Sequence, residues 1–180
     1  QENITNNGNI NVTGSTNINN KISGSSTGNF NIDTNEESVV INNAITGTQL
    51  TLTSGKLLLG ESGSIDSASK FNANGGTIDV LNDKIDTTYL GNVVLNDTTK
   101  IDIDFDVRTA KSDKFKGTFS GTSKFDINNI KVLGDTLKKP INKSISSLTG
   151  IPAQYVKVEE NMLKTVMSPI KKFKGYIKNN

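Results

Sequence analysis

Short apolar alternations recur about every 20 residues along this chain, and this repeat constrains the fold more than any other feature. The first set starts at Ile10, Phe30, Leu50 and Phe71, so successive starts are separated by 20, 20 and 21 residues. A repeat of this length, carried by strand-sized segments, is typical of a solenoid, because each coil buries its apolar face only against its neighbours. The sequence therefore predicts an all-β fold of stacked coils.

A second set of apolar residues lies between the members of the first. Its members are Ile18, Val39 with Ile41, Leu57 with Leu59, Ile78 with Val80, and Ile101 with Ile103. Turn formers such as Ser23-Gly24, Ser54-Gly55 and Gly75-Gly76 separate the sets, and their glycines are expected to supply positive backbone angles. The strands are thus predicted to be short and regularly interrupted.

The composition favours a thin core and excludes several kinds of catalytic and metal-binding site. Hydrophobic residues make up 33% of the chain and aromatic residues 6%, with no Trp, so a thick globular core would be hard to fill. Cysteine and histidine are absent, which excludes disulfides, thiolate metal sites, a cysteine nucleophile and any Ser–His–Asp triad. We therefore expect no enzyme and no cofactor.

The repeat and the charge both change near residue 133. At ~20 residues per coil, residues 9–133 make roughly six coils. Beyond them, Lys138-Lys139-Pro140 and Ile151-Pro152 interrupt regular strands. The net charge goes from −5 over residues 1–130 to +7 over residues 131–180. We predict a solenoid over 1–133 and a divergent, basic C-terminal cap of strands over 134–180.

The ends of the chain carry two further expectations. The sequence begins with Gln1, without a cationic leader or an apolar run of ~18 residues, so we expect a processed product or an excised fragment. A column cut at residue 1 or 180 would expose unpaired strand edges, which favours self-association through the end coils.

The most distinctive run of the sequence lies in residues 89–132. It holds Tyr89-Leu90-Gly91-Asn92, then an alternation of Asp with apolar residues from Ile101 to Val107, and then Ser112-Asp113-Lys114-Phe115. A Gly-rich turn over 117–121 and a strand-like segment from Phe125 to Ile130 follow. This order resembles the passenger region of bacterial autotransporter adhesins, and the resemblance extends over about residues 29–132.

The resemblance implies a right-handed parallel β-helix outside the cell or on the bacterial cell surface, anchored in the outer membrane in the full-length protein. We therefore expect a structural and adhesive module, a rigid stalk that binds host or neighbouring-cell surfaces multivalently. Its expected partners are host glycans or matrix proteins. The alternatives are a fragment of a glycan-active β-helix enzyme and a component of a phage or particle fibre. No Gly-rich phosphate loop leads from a strand into a helix, so no nucleotide site is predicted.

The alternating aspartates are candidate ligands for calcium. Asp102, Asp104 and Asp106 share one face of a strand, and Asp113 is near in sequence. Members of this row are ~6.8 Å apart, so neighbours cannot share an ion without donors from another coil. The same carboxylates are candidates for acid–base work on a glycan. We favour a third interpretation, a solvated outer face without a metal, with the alternate apolar residues filling the core.

Basic residues interleaved with aromatics near the C-terminus are candidates for partner binding. They are Lys171, Lys172, Phe173, Lys174 and Tyr176. Such a surface fits lipopolysaccharide, anionic lipid or nucleic acid, of which nucleic acid is the least favoured. The competing interpretation, which we prefer, is a solvated face on the terminal strands.

Overall fold

Short strands of successive coils pair in parallel and build three faces around one narrow core. A computed structural model describes residues 2–135 and 143–158 of the chain. Apart from one antiparallel contact, every strand pair in these residues is parallel. The predicted parallel β-solenoid is confirmed.

The first face carries the repeat that is most visible in the sequence. Its strands are β2 (Asn9–Val12), the start of β5 (Asn29–Ile41), the start of β7 (Gln49–Leu59), and the ends of β8 (Ser64–Ala73), β10 (Thr87–Leu95) and β13 (Lys114–Gly121). Residues Ile10, Phe30, Leu50, Phe71, Val93 and Phe119 pair in register along it. The six stacked strands of this face are therefore separated by 20, 20, 21, 22 and 26 residues, in agreement with the predicted stack of roughly six coils.

The second face contains the other predicted set. Its strands are β3 (Thr16–Ile18), the ends of β5 and β7, β9 (Thr77–Asp79), β11 (Thr99–Asp106), β14 (Phe125–Leu133) and β15 (Val156–Val158). Leu57, Ile78, Ile101 and Ile127 pair in register and are fully buried. β12 (Lys111–Ser112) folds back and pairs antiparallel with the end of β11.

The third face was not predicted from the sequence. It consists of β1 (Ile4–Asn6), β4 (Ile22–Gly24), β6 (Ala44–Thr46) and the starts of β8, β10 and β13. Ile22, Ile45 and Ile65 pair in register and are fully buried. Each of these short strands contributes a single apolar residue to the core, which is partly buried in β1 and buried in the others, so no apolar alternation marks them.

The stack continues past residue 133. Helix α1 (Ile145–Thr149) is capped by Ser144, whose Oγ accepts a hydrogen bond from the Ser147 N–H at 3.1 Å, and Gly150 ends it with a φ of 76°. A 3-10 helix over Ala153–Tyr155 then leads into β15, which pairs with β14. The described part of the C-terminal segment thus holds a short helix besides a strand, while the division of the chain at residue 133 stays a prediction.

Glycines at the corners serve two different needs. Gly55 and Gly76 have φ of 84° and 67°, as predicted. Gly24 has no positive φ and serves a different purpose, the close approach of two coils. A Cβ there would lie 1.9 Å from the carbonyl oxygen of Asn6 in the preceding coil. Some turn glycines therefore exist to let coils stack closely.

Candidate functional site

Amide and hydroxyl side chains form ladders on the outside of the column. On the first face, Asn31 donates from Nδ2 to Asn11 Oδ1 at 2.8 Å, and Thr51 donates from Oγ1 to Asn29 Oδ1 at 3.1 Å. Similar bonds join Asn42 to Asn19, Asn96 to Asn74 and Thr118 to Asn92. These bonds follow from the register, because equivalent outward positions of adjacent coils are only ~4.8 Å apart and diagonal neighbours such as Thr51 and Asn29 are also within reach.

The outward carboxylates of β11 are buried, so the solvated outer face that we favoured from the sequence is wrong. Asp102, Asp104 and Asp106 are 2%, 0% and 8% exposed, and Asp113 is 1% exposed. The loop of residues 81–86 from the preceding coil covers Asp104 and Asp113. Asp102 is in contact with Lys56 and Asn128, and Asp106 with Arg108. Each carboxylate is instead held by specific donors.

Asp104 and Asp113 bind the backbone of this covering loop, and we call the pair the aspartate clasp. Asp104 Oδ2 accepts from the N–H groups of Asn82 and Asp83 at 2.8 and 3.0 Å. Asp113 Oδ1 accepts from the Asp86 N–H at 2.9 Å, and its Oδ2 accepts from the Asp104 N–H at 2.7 Å. The clasp therefore ties two successive coils together through backbone amides.

Burial raises the pKa of Asp113 to about 6. The amides of Asp86 and Asp104 lower it, while the negative charges of the Asp104 and Asp86 carboxylates raise it further. The other oxygen of Asp104, Oδ1, is buried without a hydrogen-bond partner among the described residues. Asp113 thus titrates close to the physiological range although it cannot reach solvent.

A second pair of carboxylates, missed in the sequence, lies on adjacent coils. Asp79 and Asp102 are register partners. Lys56 Nζ lies 3.4 Å from Asp79 Oδ2 and 3.6 Å from Asp102 Oδ2. Burial raises the pKa of Asp102, although hydrogen bonds from Asn128 and Lys56 oppose the rise. The 23-residue spacing of the two aspartates, close to the coil length, is the signal that would have found them.

The described carboxylates are not grouped as metal ligands. Among the residues that the structure describes, no group of three or more His, Cys, Asp or Glu side chains is placed to hold a metal ion. Asp106 instead accepts from the backbone N–H and the Nε of Arg108, both at 2.9 Å, which lowers its pKa. Asp102 is too deeply buried for a substrate to reach. The calcium alternative therefore gains no support from the geometry.

A cavity of about 380 Å³ opens at a corner between the second and third faces, and we call it the corner cavity. It lies between residues 59–63 of one coil and residues 80–88 of the next. Leu59 and Val80, which are 8% and 6% exposed, give it an apolar floor, and Ser62 and Thr87 are among its polar lining.

A second cavity of about 480 Å³ runs along the corner between the first and second faces, and we call it the lysine groove. Glu36, Lys56, Thr77 and Lys100 line it together with the glycines of the turns. Lys56 is engaged with Asp79 and Asp102, so its charge is largely matched inside the protein.

The remaining predicted candidates lie elsewhere. Lys171, Lys172, Phe173, Lys174 and Tyr176 fall outside the described residues, and their role stays a prediction. Neither described helix is long or apolar enough to cross a membrane. Comparison with protein-family models, curated proteins and solved structures gave no match.

Proposed function

We propose that this chain is a structural and adhesive module of a bacterial cell surface, a rigid β-helical stalk that binds host or neighbouring-cell surfaces. The observation that supports the proposal is the unbroken parallel stack, whose outer side repeats amide and hydroxyl groups from coil to coil. A repeated polar surface offers many weak contacts at fixed spacing. Multivalent display converts such contacts into firm attachment.

Rigidity is part of this proposal. Backbone hydrogen bonds tie each coil to the next, and the aspartate clasp adds side-chain bonds to the same contact. A column of this kind resists bending because every coil is fixed on three faces. Such a scaffold holds its outer groups at constant positions, which a flexible chain would have to order at an entropic cost on binding.

A glycan-active enzyme is the competing function, and Asp79 with Asp102 is the observation that bears on it. Two carboxylates on adjacent coils beside a lysine have the composition of an acid–base site. Their burial argues against this role, since Asp102 is 2% exposed and Lys56 lies over both groups. We therefore infer that the pair stabilises the stack.

The experiment that tests adhesion displays the chain on beads and measures their retention on glycan-coated and matrix-protein-coated surfaces. We expect retention that rises steeply with the density of the chain on the bead. The supernatant is assayed for released sugars at the same time. Retention equal to that of uncoated beads on every surface would contradict the adhesive role, and release of sugars that Asp102→Asn abolishes would establish the enzyme.

A further inference from the structure

The corner cavity combines an apolar floor with a polar rim, which is the composition of small-ligand sites. Its floor is formed by Leu59 and Val80, and Ser62, Asn82 and Thr87 supply hydroxyl and amide groups around it. Its volume of about 380 Å³ is at the lower end of the ~300–1,000 Å³ typical of ligand pockets. A ligand of one or two rings fits this space.

Two of the three charged groups at the cavity form an ion pair, and the third accepts from a neutral amide. Lys84 Nζ lies 2.9 Å from Glu61 Oε1, and Asp86 Oδ2 accepts from Asn82 Nδ2 at 2.8 Å. Hydrogen bonding between Glu61 and Lys84 lowers the pKa of the first and raises that of the second, so both remain charged near neutral pH. Glu61, Lys84 and Asp86 together leave the rim with one net negative charge, so the rim repels an anionic ligand. It is better suited to a neutral ligand whose hydroxyl groups donate to the Asp86 carboxylate.

Tyr89 is an exposed aromatic residue on β10, the strand that also supplies Thr87 and Thr88 to the cavity lining. Tyr89 is 51% exposed, whereas the other large hydrophobic residues of the described chain are buried or partly buried. Side chains alternate along a strand, so Tyr89 lies on the same face of β10 as Thr87, which lines the cavity, and ~6.8 Å further along. On the next coil, Lys116 places its Nζ 5.4 Å from the centre of the Tyr89 ring, which helps to fix the ring's orientation.

We propose that the corner cavity and Tyr89 together bind a neutral glycan. The apolar C–H face of a sugar ring packs on the tyrosine ring, and sugar hydroxyls exchange hydrogen bonds with Ser62, Thr87 and Asp86. The floor of Leu59 and Val80 accepts the apolar edge of the second ring. This inference rests on the proposed adhesive function and names the class of ligand that the module recognises.

The test is a titration of the full chain with a panel of neutral oligosaccharides, with sulfated and uronic-acid oligosaccharides as a second arm. We expect weak binding to members of the neutral arm. Tyr89→Ala is expected to weaken that binding by about tenfold through loss of the stacking surface, and Tyr89→Phe to retain it. Lys100→Ala, in the lysine groove, is the control and should bind like the unaltered chain.

The variants also separate binding from folding. Tyr89 is half exposed, so Tyr89→Ala should unfold at the same denaturant concentration as the unaltered chain. Neutral-glycan binding that survives Tyr89→Ala, binding restricted to the acidic arm, or binding lost in Lys100→Ala would overturn the inference.

The bead experiment distinguishes the two proposals. Retention on matrix protein without binding to any neutral glycan would overturn this inference and leave the adhesive function standing. Failure of retention on every surface would remove the adhesive function, whereas the titration would still report on the cavity.

Discussion

Asp104 and Asp113 show how a carboxylate becomes a structural group in a narrow solenoid. Both side chains point to the outside of their coil, where solvent was expected, yet they accept four backbone N–H bonds at 2.7 to 3.0 Å. Hydrogen bonds to charged acceptors are stronger than neutral ones, so these bonds offset much of the cost of burial.

The raised pKa of Asp113 makes stability depend on pH. A carboxyl whose pKa is about 6 when folded and ~3.9 when unfolded stabilises the fold most below pH ~4, and this contribution is lost as the pH rises through 6. The difference in unfolding free energy between the unaltered chain and Asp113→Asn should therefore fall by about 2 kcal/mol from pH 4 to pH 7. Denaturant unfolding at several pH values measures this change.

Asp97→Asn, on an exposed turn, is the control for the removal of one charge. The account of Asp113 fails if the difference between the unaltered chain and Asp113→Asn is the same at pH 4 and pH 7.

Gly55 illustrates the demand that a tight corner places on one residue. Its φ is 84°, and an added Cβ would lie 1.8 Å from Thr34 Oγ1 and 2.7 Å from the Glu37 carbonyl oxygen. Thr34 is buried and donates to the same Glu37 oxygen at 2.7 Å, so it cannot move aside freely. Gly55→Ala should lower the unfolding free energy by at least about 2 kcal/mol.

Gly8→Ala provides a matched comparison, because nothing lies within 4 Å of a Cβ added there. Urea unfolding should show a change below about 0.5 kcal/mol for this variant. Equal losses in the two variants would show that the strain at Gly55 has been assigned wrongly.

At the scale of strands, the sequence predicted two of the three faces. In the first and second faces most strands direct a pair of apolar residues into the core, such as Leu50 with Leu52. Their alternation with polar residues can be recognised in the sequence. The third face has one apolar residue per short strand, such as Ile22 or Ile45, and a single residue carries no period. Only the fixed coil length, known from the other faces, would have revealed it.

Strand β11 was correctly predicted as a strand, but the prediction that its aspartates are exposed to solvent was wrong. Its alternation of Asp with apolar residues is the normal sign of a strand with one solvated side. The covering loop of residues 81–86 is irregular, and nothing in its own sequence shows which strand it crosses. The paired carboxylates Asp79 and Asp102 were missed for a related reason, since contacts between coils require the register as well as the pattern.

The position of an apolar residue along the column should decide how much it contributes to the free energy of unfolding. Phe71 is fully buried in the middle of the first face, whereas Ile10 lies on the first coil and is only partly buried. Phe71→Ala should cost about 3 to 5 kcal/mol of unfolding free energy, and Ile10→Ala should cost clearly less. Chemical denaturation of both variants measures the contrast, and similar losses would contradict a core that is continuous through the middle coils.

At the scale of the whole molecule, the column separates a uniform interior from a varied exterior. The interior repeats one or two apolar residues per face and coil, so it specifies little beyond the stack itself. The exterior differs from corner to corner, with amide ladders on the first face, the lysine groove beside it and the corner cavity with Tyr89 on the far side. The proposed binding of a partner is therefore assigned to this exterior.

The most direct test of the account compares one chain with many chains on the same ligand surface. The apparent affinity of chains clustered on a bead for a glycan-coated or matrix-protein-coated surface should exceed that of the single chain by ~10²- to 10⁴-fold, with no sugar released. An affinity that is the same for single and clustered chains, or release of sugars during contact, would contradict a rigid multivalent adhesive module.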